Sequence, residues 1–252
     1  MSKGFKVSGT TRSEEKAQKL EALGIEVISP AAWLGLDFTR FTHILSSIPP
    51  QSGYQEPDPA MRRGWIAYLS TTGVYGDWQG EWVDETSELR PNNERLNRRV
   101  AAEKEWLARG GHVFRLAGIY GPGRSAIDDV RGGTARRIDK PGQVFSRIHV
   151  EDIAQVVVAS MLAPNPGSVY NGCDDEPAPA HEVVAYACKL LDMEPPPMIP
   201  FEQAEMSPMG REFYAANRRV RNDKIKRELG MELCYPSYRE GLAQCLQSNP
   251  SE

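Results

Sequence analysis

The feature that most constrains this chain is a set of short, almost continuously apolar segments that alternate with helical patterns. Thr42–Ile48 (THILSSI) and Trp65–Thr71 (WIAYLST) are the clearest of them, and Pro or Gly residues punctuate the chain around them. Such runs are typical of strands buried on both faces, as in a parallel sheet covered by helices. A chain of 252 residues is long enough for one α/β domain with a small additional lobe.

Helical patterns fill the intervals between these strands. Ser13 is placed as an N-cap, with Glu14 and Glu15 in the first turn and Gly24 at the end of the helix. Further strands are predicted at Phe5–Thr10, Ile25–Ile28, His112–Ala117 and Val169–Asn171, and further helices at Asn92–Leu107, Val150–Leu162, Ala180–Leu191 and, as short stretches, near Lys224 and Tyr238. The order predicts a doubly wound α/β sheet over residues 1–162 and a smaller α/β lobe over 163–252, interleaved in one compact unit.

Composition narrows the classes of partner. The formal net charge of −4 lacks the basic footprint of a nucleic-acid-binding protein. The apolar run Val156–Leu162 is too short to span a bilayer, and Met1–Lys6 has no apolar signal core, so we expect a cytoplasmic protein without membrane contact. The four cysteines are scattered without a C-x-x-C pair, and neither a disulfide framework nor a metal site is expected: they are Cys173, Cys188, Cys234 and Cys245.

Four separated motifs, in the right order, carry a resemblance to a known family. They are Leu69–Gly76 (LSTTGVYG), Arg115–Gly123 (RLAGIYGPG), Ile148–Ala154 (IHVEDIA) and Val169–Gly172 (VYNG), and Arg218–Gly230 adds a matching tail. Together they resemble the extended short-chain dehydrogenases/reductases, and most of all the atypical NAD(P)-dependent epimerase/dehydratase-like proteins. The resemblance implies a Rossmann-like fold and a nicotinamide cofactor.

In a doubly wound sheet, ligands bind beyond the carboxyl ends of the strands. The resemblance therefore implies that residues at these ends line the cofactor cleft. They are Ser46, Ser47, Ile48, Ser70, Leu116, Ala117 and Gly118, with Arg99 from the following helix. The alternative for the hydroxyl residues is that they only satisfy the backbone of turns.

The segment Thr10–Ser13 bears on the choice of cofactor. An enzyme that selects NAD usually places Asp or Glu at the end of the second strand, whereas a 2′-phosphate calls for Arg and hydroxyl donors. Thr10, Thr11, Arg12 and Ser13 stand here instead, so NADP is favoured over NAD. The alternative is that Ser13 only caps its helix and that Arg12 is solvated.

Two parts of the family pattern are absent from the sequence. The first strand and the G-x-x-G-x-x-G turn that holds the pyrophosphate would precede Phe5, and the chain begins too late to contain them. The segment Gly118–Gly123 is a poor substitute, because Pro122 lacks an N–H donor and no helix is expected to follow. Between Pro50 and Arg63 the crossover helix is expected to be a stub. A parallel sheet without its first strand would expose an unpaired strand edge and an apolar face, so we expect the chain to be marginally stable or homo-oligomeric.

The catalytic Tyr-x-x-x-Lys pair of the family is also replaced. Counting back from Glu103 places Arg99 at the Lys position and Arg95 at the Tyr position. A guanidinium with a pKa above about 12 cannot act as an acid or base near neutral pH. Thr71 matches the family's catalytic Ser/Thr, and Tyr75 is the alternative acid. The catalytic candidates are therefore Thr71, Tyr75 and Arg99.

The substrate candidates are Thr72, Arg124 and Arg147, because the two arginines suit an anionic group. The basic residues of the tail are expected to form a solvated face: Arg218, Arg219, Arg221, Lys224 and Lys226. Three functions stay open. They are an NADP-dependent oxidoreductase or epimerase acting on a small polar or nucleotide-linked substrate, a catalytically inactive NAD(P)-binding module, and a truncated family member that does not bind cofactor. The sequence does not specify the substrate.

Overall fold

The computed structural model describes residues 4–33, 36–50 and 64–248. The chain divides into two compact units, residues 1–42 and residues 43–252. The predicted division after residue 162 stays a prediction. Among the described residues, no helix has both the length and the apolar character needed to cross a bilayer.

The first unit contains one parallel strand pair and its connecting helix. Its elements are β1 (Ser8–Thr10), α1 (Glu14–Ala22), β2 (Glu26–Ile28) and α2 (Pro30–Trp33). The Oγ of Ser13 accepts a hydrogen bond from the backbone N–H of Lys16, and Gly24 has a φ of 76°. The predicted N-cap and helix end are therefore confirmed, because a side-chain acceptor and a residue that tolerates positive φ stand where the helix needs them.

The second unit contains the remaining elements. Its strands are β3 (His43–Ser46), β4 (Trp65–Thr71), β5 (Trp82–Val83), β6 (His112–Leu116), β7 (Gly118–Tyr120), β8 (Arg137–Asp139), β9 (Arg147–His149), β10 (Val169–Gly172), β11 (Met198–Pro200) and β12 (Arg219–Val220). Its helices are α3 (Glu94–Ala108), α4 (Ala126–Arg131), α5 (Val150–Leu162), α6 (Ala180–Leu190), α7 (Pro208–Tyr214), α8 (Asp223–Leu229) and α9 (Tyr238–Ser248).

The central sheet of this unit has the strand order β10–β6–β4–β3, and every pair in it is parallel. This arrangement confirms the predicted α/β class with a Rossmann-like sheet. Helix α3 packs against β4 and β6. The expected stub helix of the crossover falls mainly on residues 51–63, outside the described residues.

Apolar side chains from the strands form the main core of the unit. Trp65, Phe114 and Tyr170 come from three neighbouring strands and pack in one cluster with Val156 of α5 and Ile225 of α8. Each is at least 95% buried, and burying a side chain of this size stabilises a fold by about 1.5–3 kcal/mol. The near-continuous apolar pattern of the strands follows from this packing, since a sheet covered by helices on both faces has no wet side.

A second cluster joins α4, α6 and α9. Val130, Val184, Ala187 and Leu242 belong to it, and all are buried. Helix α4 corrects an expectation from the sequence, because no helix was expected after Gly123. Ser125 caps α4 by accepting from the backbone N–H of Asp128.

Candidate functional site

The register of the central sheet brings the ends of its strands to one edge. Thr71 of β4 pairs with Leu116 of β6, and Leu116 pairs with Gly172 of β10. Beyond this edge lies a cavity of about 560 Å³. Its position follows from parallel topology, since the loops that leave parallel strands diverge there and leave a crevice.

Five arginines line this cavity, and Glu212 is the only carboxylate among its described lining residues. The arginines come from different parts of the chain: Arg95 and Arg99 from α3, Arg124 from the turn before α4, Arg147 from β9, and Arg218 from the residue before β12. The structure thus brings together Arg99, Arg124 and Arg147, which the sequence nominated separately, and adds two more.

The arginines differ in what they contact. The Nη1 of Arg99 donates to the hydroxyl of Tyr68 at 2.7 Å and to the carbonyl of Leu69 at 3.0 Å. The Nη1 of Arg147 donates to the carbonyls of Phe145 and Ala178. These partners are neutral, so they orient the guanidinium groups without cancelling their charge.

Arg218 overturns the expectation that the whole basic tail is solvated. Its guanidinium lines the cavity, and its Nη1 donates to the carbonyl of Gly76 at 2.9 Å. Its Nε is buried and makes no hydrogen bond within the described part of the chain. Burial lowers the pKa of Arg218 to about 10, since desolvation penalises the charged form. The reason for the error is that the turn at Gly76, far away in sequence, covers this side chain.

A buried polar network lies behind the cavity wall. Ser70 donates to Oε1 of Glu103 at 2.5 Å, and Arg115 donates to Oε2 of the same carboxylate through Nη2 at 2.8 Å and Nε at 3.1 Å. The side chains of Glu103 and Arg115 are only 2% and 5% exposed. The hydroxyl of Ser70, expected to face a cofactor, is therefore committed to Glu103, although Ser70 still lines the cavity.

Tyr75 belongs to this network and not to the cavity. It is fully buried; its hydroxyl accepts from Nη1 of Arg115 and donates to Oδ1 of Asn171 at 2.8 Å. Burial raises the pKa of Tyr75 to about 12. The structure gives no support to Tyr75 as an acid, because its proton is engaged by Asn171 and its ring is held away from the cavity.

The other expected residues of this edge do line the cavity. Thr71, Thr72 and the segment Leu116–Gly118 all contribute to the wall. The Oγ1 of Thr71 accepts from the backbone N–H of Gly73 at 3.1 Å, which leaves its own proton available for a ligand. The roles assigned to these residues stay predictions.

The remaining cofactor candidates lie outside this cavity lining. Ser46 is buried at the end of β3, Ser47 is exposed and Ile48 is half-buried. Thr10 and Arg12 are exposed in the first unit. In the same turn, the Oγ1 of Thr11 accepts from the backbone N–H of Ser13. This turn keeps the local form that the sequence predicted, and its role in cofactor choice stays a prediction.

Besides Arg218, sequence reasoning missed three further polar residues of the lining as candidates. Glu212 and Tyr214 lie on α7, and Arg95 was considered only as a replacement for a tyrosine. The hydroxyl of Tyr214 makes no hydrogen bond to the described residues, and burial raises the pKa of its phenol while the charge of Arg147 opposes that rise. The sequence contains one local signal for this segment: Glu212 and Tyr214 follow a Ser-Pro pair of the kind that starts a helix. Among the described residues, no group of His, Cys, Asp and Glu forms a metal site.

Comparisons with known proteins support this assignment of the fold. No family model matches the chain. It is 34% identical over 181 residues to protein YeeZ of Escherichia coli (strain K12), which covers 68% of this chain and 58% of YeeZ. It is 30% identical over 163 residues to a 3-diazoavenalumate denitrifying reductase of Streptomyces sp, which covers 58% of this chain and 52% of that protein. The chain therefore matches little more than half the length of these curated relatives.

Solved structures match nearly the whole chain. A protein from Methylobacillus flagellatus described as an NAD-dependent epimerase/dehydratase has a TM-score of 0.70 at 22% identity, with 98% of this chain and 91% of that chain covered. MoeE5, solved in complex with UDP-glucuronic acid and NAD, has a TM-score of 0.68 at 17% identity, with 96% of this chain and 98% of that chain covered. The chain thus shares its α/β fold with a protein described as an NAD-dependent epimerase/dehydratase and with MoeE5.

A closer structural match gives the particular family. A conserved protein from Silicibacter pomeroyi DSS, described as functionally unknown, has a TM-score of 0.89 at 48% identity, with 98% of this chain and 91% of that chain covered. The chain belongs to the same family as this Silicibacter pomeroyi protein.

Proposed function

We propose that the chain acts as an NAD(P)-dependent oxidoreductase or epimerase on a small anionic substrate, with NADP as the favoured cofactor. The observation that carries this proposal is the cavity at the carboxyl edge of the central sheet, lined by five arginines. The reductase among the curated relatives and the NAD complex among the similar folds support the reaction class.

The charge of the cavity supports an anionic substrate. Arg99, Arg124 and Arg218 have no carboxylate within 4.0 Å among the described residues, whereas Arg95 is paired with Glu212. Guanidinium groups without a contacting carboxylate are strong sites for carboxylates and phosphates, since each can donate two parallel hydrogen bonds. A nucleotide-linked substrate and a small carboxylate both meet this requirement.

The chain's residues fit the nicotinamide side of a cofactor. Gly118 adds no side chain to the cavity wall beside Ser146 and Arg147, and Arg99 keeps donors beyond the Nη1 that it uses internally. When bound, the nicotinamide supplies or accepts a hydride. We assign Thr71 and Arg99 to holding this half of the cofactor and, from the sequence, Arg12 to a 2′-phosphate, for which its fork of donors is suited.

The proton needed by a reduced carbonyl must come from another group than the usual tyrosine. Arg95 stands at that position, and arginine is not among the side chains that serve as general acids. Tyr214 lines the same cavity, and its hydroxyl makes no hydrogen bond to the described residues. We assign the proton transfer to Tyr214 and the orientation of the carbonyl oxygen to the hydroxyl of Thr71.

A titration of the purified chain with NADPH and NADH, followed by calorimetry and thermal shift, tests this proposal. Saturable binding of NADPH that is weakened in Arg12→Ala, followed by oxidation of NADPH in the presence of an anionic carbonyl compound, is the expected result. Binding without turnover in a broad screen would favour the alternative of an inactive NAD(P)-binding module, for which Arg95 is the argument. Absence of any response to either cofactor would overturn the proposal.

A further inference from the structure

We propose that Glu212 is a specificity-determining residue, which neutralises Arg95 and so limits the negative charge of the ligand that the cavity accepts. This inference rests on the proposed anionic substrate, and it concerns a residue of α7 that the sequence motifs do not include. The structural basis is a contact that joins the start of α3 to α7 beside the cavity.

The contact consists of one carboxylate and two donors. The Nη2 of Arg95 donates to Oε1 of Glu212 at 2.8 Å, and the Nδ2 of Asn93 donates to the same oxygen. Asn93 is fixed in turn, because its Oδ1 caps α3 by accepting from the backbone N–H of Leu96 at 2.9 Å. One of the two donors to the Glu212 carboxylate is therefore fixed by the N-cap of α3, so the position of the carboxylate does not depend on the Arg95 side chain alone.

The position of this carboxylate matters because the other lining charges are positive. Oε2 of Glu212 makes no hydrogen bond to the described residues, and the side chain is 33% exposed. A ligand phosphate or carboxylate that approached Arg95 would therefore meet a fixed negative charge at that guanidinium. Because the site is partly exposed, solvent screens the repulsion between this carboxylate and a ligand anion. The repulsion energy nevertheless increases with each negative charge on the ligand.

The surrounding charges define where a ligand anion gains most. Arg99 and Arg124 have no carboxylate within 4.0 Å among the described residues, whereas Asp77 acts on the charge of Arg218 and Asp174 on that of Arg147. Burial raises the pKa of Asp174 to about 8, which weakens its compensation of the charge on Arg147. Among the described arginines of the cavity, Arg95 is thus the one in direct contact with a carboxylate, and the other four offer their guanidinium groups without such a contact.

The test compares two probes of different charge, inorganic phosphate and inorganic pyrophosphate, by isothermal titration of the full chain. The variant is Glu212→Gln, which keeps the size of the side chain and an acceptor for Arg95. The matched control is Glu105→Gln, since Glu105 is an exposed residue of α3 outside the cavity lining and the variant changes the net charge equally. Thermal unfolding of each variant checks that the fold is retained.

We expect Glu212→Gln to bind pyrophosphate about 5–10-fold more tightly than the unmodified chain, and phosphate by a smaller factor, as befits a partly screened charge. The gain should disappear in Arg95→Met/Glu212→Gln, because the freed guanidinium is its source. Glu105→Gln should change neither affinity by more than about 2-fold.

Equal gains for both probes, equal gains in Glu105→Gln, or a gain that survives removal of Arg95 would each overturn the inference. So would a Glu212→Gln chain that binds neither probe. The NADPH titration is independent of these measurements, so a cavity that fails the anion test while the chain still binds NADPH would leave the cofactor part of the proposed function standing.

Discussion

The buried Glu103–Arg115 pair allows the sharpest prediction of stability. The carboxylate of Glu103 accepts from Ser70 and from both Nε and Nη2 of Arg115, and both members of the pair are at most 5% exposed. Glu103→Ala leaves the guanidinium of Arg115 in a site from which water is excluded. The cost is set by that uncompensated charge more than by the lost hydrogen bonds.

The expected loss of unfolding free energy is about 3–5 kcal/mol, the range for breaking a buried pair by removing one partner. For a chain of 252 residues this corresponds to a fall in Tm of roughly 6–20 °C. Replacing both residues, in Glu103→Leu/Arg115→Met, removes the charge together with its partner. This double variant should recover at least half of the loss, since apolar residues of similar volume often replace a buried pair without penalty.

Urea unfolding followed by circular dichroism measures these differences. Glu105→Ala is the matched control, because Glu105 is exposed on the same helix and should change the free energy of unfolding by less than about 0.5 kcal/mol. A loss below about 1 kcal/mol in Glu103→Ala, or a double variant less stable than the single one, would refute the reasoning that an isolated buried charge dominates the cost.

Three further predictions follow from single sites. Gly76→Ala should lower the free energy of unfolding in urea by roughly 2–4 kcal/mol, because Gly76 has a φ of 69° and the added Cβ would overlap the carbonyl of Arg90. Gly133→Ala is the control: Gly133 has a φ of 67° in open space, and the substitution should cost about 1 kcal/mol. Equal costs for the two variants would contradict this reasoning. Burial raises the pKa of Asp174 to about 8, so the folded state holds a proton that the unfolded state has released above about pH 4. The free energy of unfolding should therefore fall as the pH rises from about 4 to 8, and Asp174→Asn should flatten this slope. A variant with an unchanged pH profile of unfolding would disprove this prediction. Tyr214→Phe should lower the rate of carbonyl reduction by about 10²–10⁴-fold, while the affinity for NADPH measured by calorimetry stays within about 2-fold of the unmodified chain. An unchanged rate would show that Tyr214 is not the proton donor.

Several elements of the fold could be predicted from local sequence because their causes are local. Trp65–Thr71 and Val150–Leu162 have in the structure the bounds that their apolar patterns predicted. The cap at Ser13 follows from chemistry within one turn. The strand pattern His112–Ala117 and the motif Val169–Gly172 placed the strands β6 and β10, and the structure pairs them in parallel.

Short elements could not be predicted in the same way. Strands β8 and β11 pair with each other across about 60 residues, and β5 pairs with β12 across a larger interval. Two- and three-residue strands have no periodicity to detect, and their pairing depends on which segments the rest of the fold brings together. The helix α4 was missed for a similar reason, because its six residues show little helical repeat.

The sequence by itself determined the class of the protein, the parallel sheet and the presence of arginines where the family has its catalytic pair. Only the tertiary structure decided that Arg218 is half-buried beside the cavity, that Tyr75 lies behind the cavity wall and that Glu212 contacts Arg95. The apolar patterns of strands and helices indicate which faces of each segment are buried and which are exposed to solvent, and these patterns are local in sequence. The environment of a polar side chain depends on distant segments that cover or pair it, and this information exists only when the chain is folded.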